Sequence, residues 1–215
     1  MKLAHNYHEL EKAEKYRYYF WDRHFFSREK RFFFEGCRAL PGQMYIADRK
    51  GLYDAVIKYK PKYCFEVGTH TGGGSTYFLA SAFAELGQGK VVTLESDRSF
   101  WEYAKDSYQK ALPHLAPYVE FVHGDDVKCF EPYLRETGGL ECAFLDGSEN
   151  AEQTLEQYEF FKKFLKPGSV LMAHDWDTDK MRLLRPLLEQ SKEWEFKMLL
   201  GQPESVGFAV LEHRS

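Results

Sequence analysis

The sequence predicts an α/β fold: a doubly wound, mostly parallel sheet of seven strands whose last strand runs antiparallel, preceded by a helical segment. Three observations lead there. Five short apolar runs alternate with stretches of helical periodicity, and repeated strand–helix units build parallel sheets. The last two apolar runs, Glu195–Leu200 and Val206–Leu211, lie too close together for a helix between them, so they pair as antiparallel neighbours. Residues 1–40 break the alternation, with almost no Gly or Pro and a dense mixture of charges and aromatics.

The elements follow in order. The aromatics of residues 16–26 and 31–34 run consecutively and give one or two helices, stopped by Gly36 or by Pro41-Gly42. Such a face either docks on the core or serves as a lid or a dimer contact. Leu52, Val56 and Tyr59 lie at helical spacing before Pro61. Tyr63–Val67 is the first strand, and Leu79, Ala82, Phe83 and Leu86 mark a helix that ends at Gly87. Strands at Val91–Leu94, Val119–Val122, Cys142–Leu145 and Ser169–Ala173 alternate with helices through Phe100–Ala111 and Ala151–Leu165. A helix is expected over 178–191. Residues 1–42 thus read as an appendage and 43–215 as the main domain.

Composition narrows the function. The chain has 215 residues, 44% of them hydrophobic and 29% charged, enough to bury a core. Its net charge of −4 disfavours general binding to nucleic acid or to an anionic membrane surface. No run of about 18 apolar residues is present to span a bilayer. The start of the chain lacks the apolar stretch of a signal peptide. Its four scattered cysteines fit a reduced, cytoplasmic setting.

Candidate functional residues gather at strand ends, where doubly wound sheets bind ligands. The first is the turn Glu66-Val-Gly68-Thr69-His70-Thr-Gly72-Gly73-Gly74-Ser75, between a strand and a helix. Its glycines allow close backbone approach, and the helix start offers N–H donors. It lacks the Gly-Lys-Ser/Thr of a phosphate loop, and His70 replaces the second glycine of a dinucleotide loop. Glu66 suits a cationic amine better than a diphosphate. Glu95, followed by Ser96, ends the second strand and can accept from ribose hydroxyls, or is a solvated strand end. Gly124, Asp125 and Asp126 follow the third strand, as adenine readers or as helix caps. Asp146, His174 and Asp175 follow the fourth and fifth strands. They are ligand types for a divalent ion such as Mg²⁺, or else helix caps.

This order of motifs, with Lys166-Pro-Gly and the final hairpin, resembles the class I S-adenosylmethionine-dependent methyltransferases, a Rossmann-like family. Within it the chain is similar to small-molecule O-methyltransferases of the catechol and macrocin type, over about residues 43–211. The segment Lys50–Lys58 before the first strand is similar to the helix that precedes the glycine motif in the catechol enzyme. The resemblance implies S-adenosyl-L-methionine as cofactor and the hydroxyl of a small molecule as methyl acceptor. It implies that Glu66 and the Gly68–Gly72 loop, with Thr69 and His70, hold the methionine part. Glu95 would hold the ribose and Asp125 and Asp126 would flank the adenine, with Ser75, Ser96 and Gly124 as further cofactor-binding residues. Asp146 would sit under the methyl group and, with His174 and Asp175, hold a metal. Relatives carry His or Lys three positions after that Asp as general base; here Glu149 stands there, and Glu149 or His70 is the expected base. The glycine loop is also one residue longer than in those relatives. Two other readings stay open at this point: an NAD(P)-dependent oxidoreductase, and a cofactor-binding protein without catalysis.

Overall fold

The computed structural model describes residues 7–148 and 150–214. Seven strands form one sheet in the order β3-β2-β1-β4-β5-β7-β6. They are β1 (Tyr63–Val67), β2 (Lys90–Glu95), β3 (Val119–His123), β4 (Cys142–Leu145), β5 (Val170–His174), β6 (Trp194–Leu200) and β7 (Phe208–His213). The first five are parallel, and β7 runs antiparallel to both β5 and β6. The expected topology is therefore observed, antiparallel final strand included.

The central strands β1, β2, β4 and β5 are buried on both faces, and successive side chains feed different cores. In β4, Cys142 and Phe144 join one apolar cluster while Ala143 and Leu145 join the other. This two-residue period is what a strand covered on both faces requires. Helices α3 (Ile46–Tyr59), α4 (Ser75–Leu86) and α5 (Arg98–Ala111) supply the core with Leu52, Val56, Leu79, Phe83 and Tyr108. The opposite core takes Leu134 of α6 (Glu131–Glu136), Phe161 of α7 (Ala151–Lys162) and Leu188 of α8 (Leu184–Gln190).

Two details differ from the sequence reading. Helix α6 is unforeseen, because six residues are too few to display a helical period. The helix expected over 178–191 is split into a 3₁₀ turn, Asp179–Met181, and α8. Pro186 explains the break: it has no N–H to give to the carbonyl of residue 182, so a helix can only start shortly before it.

In the N-terminal segment, α1 (Lys12–Phe20) and α2 (Arg28–Glu35) are helical, and Gly36 (φ +54°) ends α2. Phe32 and Phe33 pack on Tyr53 of α3 and Phe78 of α4. Phe20, Trp21 and Phe25 are exposed. Beyond α2 the chain crosses the glycine loop at backbone contact. A Cβ on Gly73 would lie 2.2 Å from the carbonyl oxygen of Pro41 and 2.5 Å from that of Leu40. This contact accounts for the extra glycine in the loop. All four cysteines are free, and no described helix is long and apolar enough to cross a membrane.

Gly73→Ala should therefore force the 40–44 crossing away from the loop. The expected loss, about 1–3 kcal/mol as for other overpacked sites, would appear as a lower urea midpoint. An unchanged midpoint would show that the two segments are not in contact.

Candidate active site

The strand order reverses direction between β1 and β4, which is where doubly wound sheets bind their ligands. The two loops that leave those strands touch. A Cβ on Gly68 (φ +99°) would lie 2.7 Å from Gly147 Cα, and Asp146 N donates to Val67 O at 3.1 Å. Only glycine permits this crossing, and it brings Asp146 to the mouth of the glycine loop.

Two adjoining cavities open along this edge and share Gly68, Glu95 and Gly147. One, of about 630 Å³, is lined by Ser96, Gly124, Asp125 and Asp126 on one side and by Gln157 and Phe160 of α7 on the other. The second, of about 420 Å³, is lined by Thr69, His70, Ser75, Asp146, His174 and Asp175. Gly42, Gln43 and Met44 close it from above; none of the described aromatics of residues 7–41 lines either cavity. The N-terminal segment thus reaches the site through the Gly42–Met44 backbone crossing, not through its aromatic side chains.

Glu66 is fully buried at the foot of the loop. Thr76 Oγ1 donates to its Oε2 at 2.6 Å, while Oε1 has no hydrogen-bond partner among the described residues. Burial pushes its carboxyl up to about 7, and the hydroxyls of Ser75, Thr76 and Thr93 only partly offset this. Glu95 accepts from His70 N at 2.7 Å through Oε2 and from Asp97 N at 2.9 Å through Oε1. Its carboxylate therefore fixes the glycine loop as well as bordering both cavities. The His70 backbone is left-handed (φ +49°), and its ring lies against Phe100 of α5 at 4.3 Å. Gly72 (φ +76°) sits on Tyr108, whose hydroxyl donates to Gly72 O at 2.9 Å. Asp126 acts as a cap, accepting from Lys128 N at 2.9 Å, while it also borders the larger cavity beside Asp125.

At the other end of the smaller cavity, five charged side chains interlock. His174 Nε2 faces Asp48 Oδ2 at 3.1 Å, and its Nδ1 faces Asp146 Oδ1 at 3.2 Å and Asp175 Oδ1 at 3.3 Å. Lys180 Nζ donates to Asp146 Oδ1 at 3.0 Å and to Asp175 Oδ2 at 3.1 Å. Burial works against charge on His174, but its bonds to Asp146, Asp175 and Asp48 outweigh it and push the ring up to about 12. Burial also acts to raise Asp175, yet His174 and Lys180 hold it at about 2. Lys180 is raised despite its burial, by the same two carboxylates. Asp175 adopts a left-handed backbone (φ +56°), which turns its carboxylate back toward His174 and Lys180.

The three expected metal ligands are thus together: Asp146, His174 and Asp175 offer atoms within 4.8 Å of one another. Their donor set does not suit a metal as it stands, because Lys180 bridges the two carboxylates and both His174 nitrogens face carboxylate oxygens. Glu149, one expected base, lies outside the described residues. His70, the other, is turned to Phe100 and is not among the groups bonded to Asp146. Asp48, Lys180 and the Gly42–Met44 crossing are unforeseen. Asp48 lies early in a helix and Lys180 in an irregular turn, and neither carries a local pattern.

The mixed sheet with its antiparallel β7, and a glycine loop at the switch point above a buried Glu, define the architecture of the class I methyltransferases. The chain belongs to the methyltransferase-domain family, whose model matches residues 65–176, just over half of the chain. Solved structures share the fold. The O-methyltransferase TomG from Streptomyces achromogenes, involved in tomaymycin synthesis and solved with SAM, is 22% identical, with 80% of this chain and 82% of that chain covered at a TM-score of 0.61. An O-methyltransferase from Bacillus cereus in complex with SAH is 19% identical, covering 78% and 81% at 0.60. An rRNA methylase from Streptococcus thermophilus is 16% identical, covering 76% and 94% at 0.55. No curated protein matches the chain in sequence.

Glu66 generates a test of this geometry. A carboxyl that keeps its proton to about pH 7 when folded, against 4.5 for its ordinary value, favours the folded state below the ordinary value. That advantage disappears as pH rises through 7, at a cost of about 3 kcal/mol. Glu66→Gln cannot ionise. In urea unfolding at pH 5 and pH 8, its stability relative to wild type should improve at the higher pH by an amount of that order. A pH-independent difference would mean that the apo fold holds the ionised carboxylate without penalty.

Proposed function

We propose that this chain binds S-adenosyl-L-methionine along the two joined cavities and transfers its methyl group to a hydroxyl of a small molecule. The observation that carries this reading is the pair of cavities that meet at Gly68, Glu95 and Gly147, beside a loop of glycines with the carboxyl of Glu66 buried beneath it. The glycine loop takes the methionine end of the cofactor, and Glu66 supports that loop from below through Thr76. Glu95, at the junction of the cavities, would accept from a ribose diol. The larger cavity, between Gly124–Asp126 and Phe160, would take adenine against its polar edge. The match of the fold to methyltransferases solved with SAM and SAH supports the same cofactor.

The bound cofactor supplies a methyl group already activated on a sulfonium. The protein's task is then alignment and proton management. Asp146 binds both of its cations through Oδ1, which leaves Oδ2 for a ligand in the cavity that Asp146 lines. Oδ2 would accept the hydrogen bond of the acceptor hydroxyl, orient its oxygen toward the methyl group and take its proton as the new C–O bond forms and the methyl–sulfur bond breaks to leave S-adenosylhomocysteine. The Gly42–Met44 crossing shields the site from water. The net charge of −4 and the modest cavity favour a small molecule over a nucleic acid as acceptor.

Calorimetric titration with S-adenosylhomocysteine tests the cofactor. Micromolar binding is expected, and Glu95→Ala should weaken it by about tenfold or more, the worth of one or two hydrogen bonds to a charged acceptor. No binding, with NADH bound instead, would overturn the reading.

A further inference from the structure

A divalent ion at this edge would have to take its oxygens from Asp146 and Asp175 and a nitrogen from His174. The structure fills that place from within. The ammonium of Lys180 lies 3.0 Å from Asp146 and 3.1 Å from Asp175, and its side chain is only 3% exposed. Lysine is almost never so deeply buried unless it is paired. A metal-bound histidine normally gives the ion a lone pair from one nitrogen and turns the other to a neighbouring acceptor. His174 has that second contact, Nε2 to Asp48, but its Nδ1 faces the very carboxylate oxygens that the ion would need. An octahedral Mg²⁺ keeps its ligands at about 2.0–2.1 Å. Asp146 Oδ1 and both oxygens of Asp175 are already engaged by His174 and Lys180, so even an ion held through Asp146 Oδ2 would lie beside the ammonium, and the two cations would repel.

We propose that Lys180 is a built-in replacement for the divalent ion, a tethered cation that holds Asp146 and Asp175 in their working positions so that the site operates without metal. The proposal rests on the methyl-transfer reading of the cleft for its function, but not for its test. Lys180 lines neither of the two cavities, so it acts through the two carboxylates as a positioning residue. Its charge is permanent at neutral pH and its location is fixed by the turn Asp179–Met181, which packs against α7.

Mn²⁺ is the probe, because it takes carboxylate and imidazole ligands and its free form has a strong paramagnetic resonance signal. Chelator-treated protein, wild type, Lys180→Met and Lys180→Arg, is titrated with Mn²⁺. Circular dichroism reports folding, and S-adenosylhomocysteine calorimetry is run in EDTA. Wild type and Lys180→Arg should leave the Mn²⁺ signal undiminished to about 1 mM, whereas Lys180→Met should gain one Mn²⁺ equivalent at least about tenfold tighter, since two carboxylates and a histidine are then released for the ion. A purely structural lysine would not produce that gain. A stoichiometric Mn²⁺ site in wild type overturns the proposal, as does folded Lys180→Met that gains none. If Lys180→Met does not fold, the wild-type titration alone decides. Loss of S-adenosylhomocysteine binding in EDTA with no Mn²⁺ bound would overturn the cofactor reading and leave the Mn²⁺ result intact.

Discussion

Buried Asp48 and the half-buried Asp146 and Asp175 converge at the carboxyl edge of the sheet, and two side chains of the same protein answer their charge. His174 touches all three acids, and Lys180 ties two of them. Taking any one of these charges out of water costs several kcal/mol unless partners replace the lost hydration. The cluster is therefore an all-or-none arrangement. It joins α3 to the ends of β4 and β5 and to the turn before α8, and it holds Asp175 in a backbone conformation that non-glycine residues rarely adopt. The position of Asp146 beside the glycine loop follows from it, since Asp146 is gripped from the β5 side while Gly68 and Gly147 pack together on the other.

The N-terminal segment depends on the residue next to Asp48. Arg49 is fully buried and gives Nη1 to the carbonyls of Phe33 and Phe34 at 2.8 and 3.3 Å, so it satisfies the last turn of α2. Its guanidinium also lies over the Phe78 ring, and burial lowers it to about 10. Two successive residues of α3 thus point to different duties, one to the charged cluster and one to the aromatic helices. The chain between them, Leu40–Met44, has to pass over the glycine loop. That is why Gly42 and Gly73 face each other at distances no side chain would allow. The N-terminal helices are therefore tied to the glycine loop through this crossing, while none of the described aromatics of residues 7–41 lines either cavity.

Much of this was legible in the sequence because it is local. A buried strand flanked by glycine, such as Tyr63–Val67 with Gly68, declares itself, and strand-end acids follow from it. Glu66 and Glu95 were found in this way. Helix α6 is not legible, being shorter than two helical turns, and the helical spacing over 178–191 hides the break that Pro186 imposes. The cluster escaped for a different reason. Asp48 meets His174 across 126 positions and Lys180 meets Asp146 across 34, and only the finished sheet brings them together. The extra glycine of the loop likewise has no local meaning, since its contact is with Leu40 and Pro41.

Asp146, His174 and Asp175 are anionic and nitrogen donors at adjacent strand ends, and an ion site is built from such groups. Anions in a sequence call for a cation without saying which one. A free ion and a lysine ammonium satisfy the same electrostatic demand, but they distribute its cost differently. An ion must be bound from solution, and its ligands repel one another until it arrives. A tethered ammonium brings its desolvation cost into folding, where packing of the Asp179–Met181 turn offsets it, and the carboxylates are organised before any ligand enters. Preorganisation of that kind suits a reaction whose electrophile arrives already activated. On the proposed reading, a fixed oxygen that orients the acceptor takes the place of a Lewis acid.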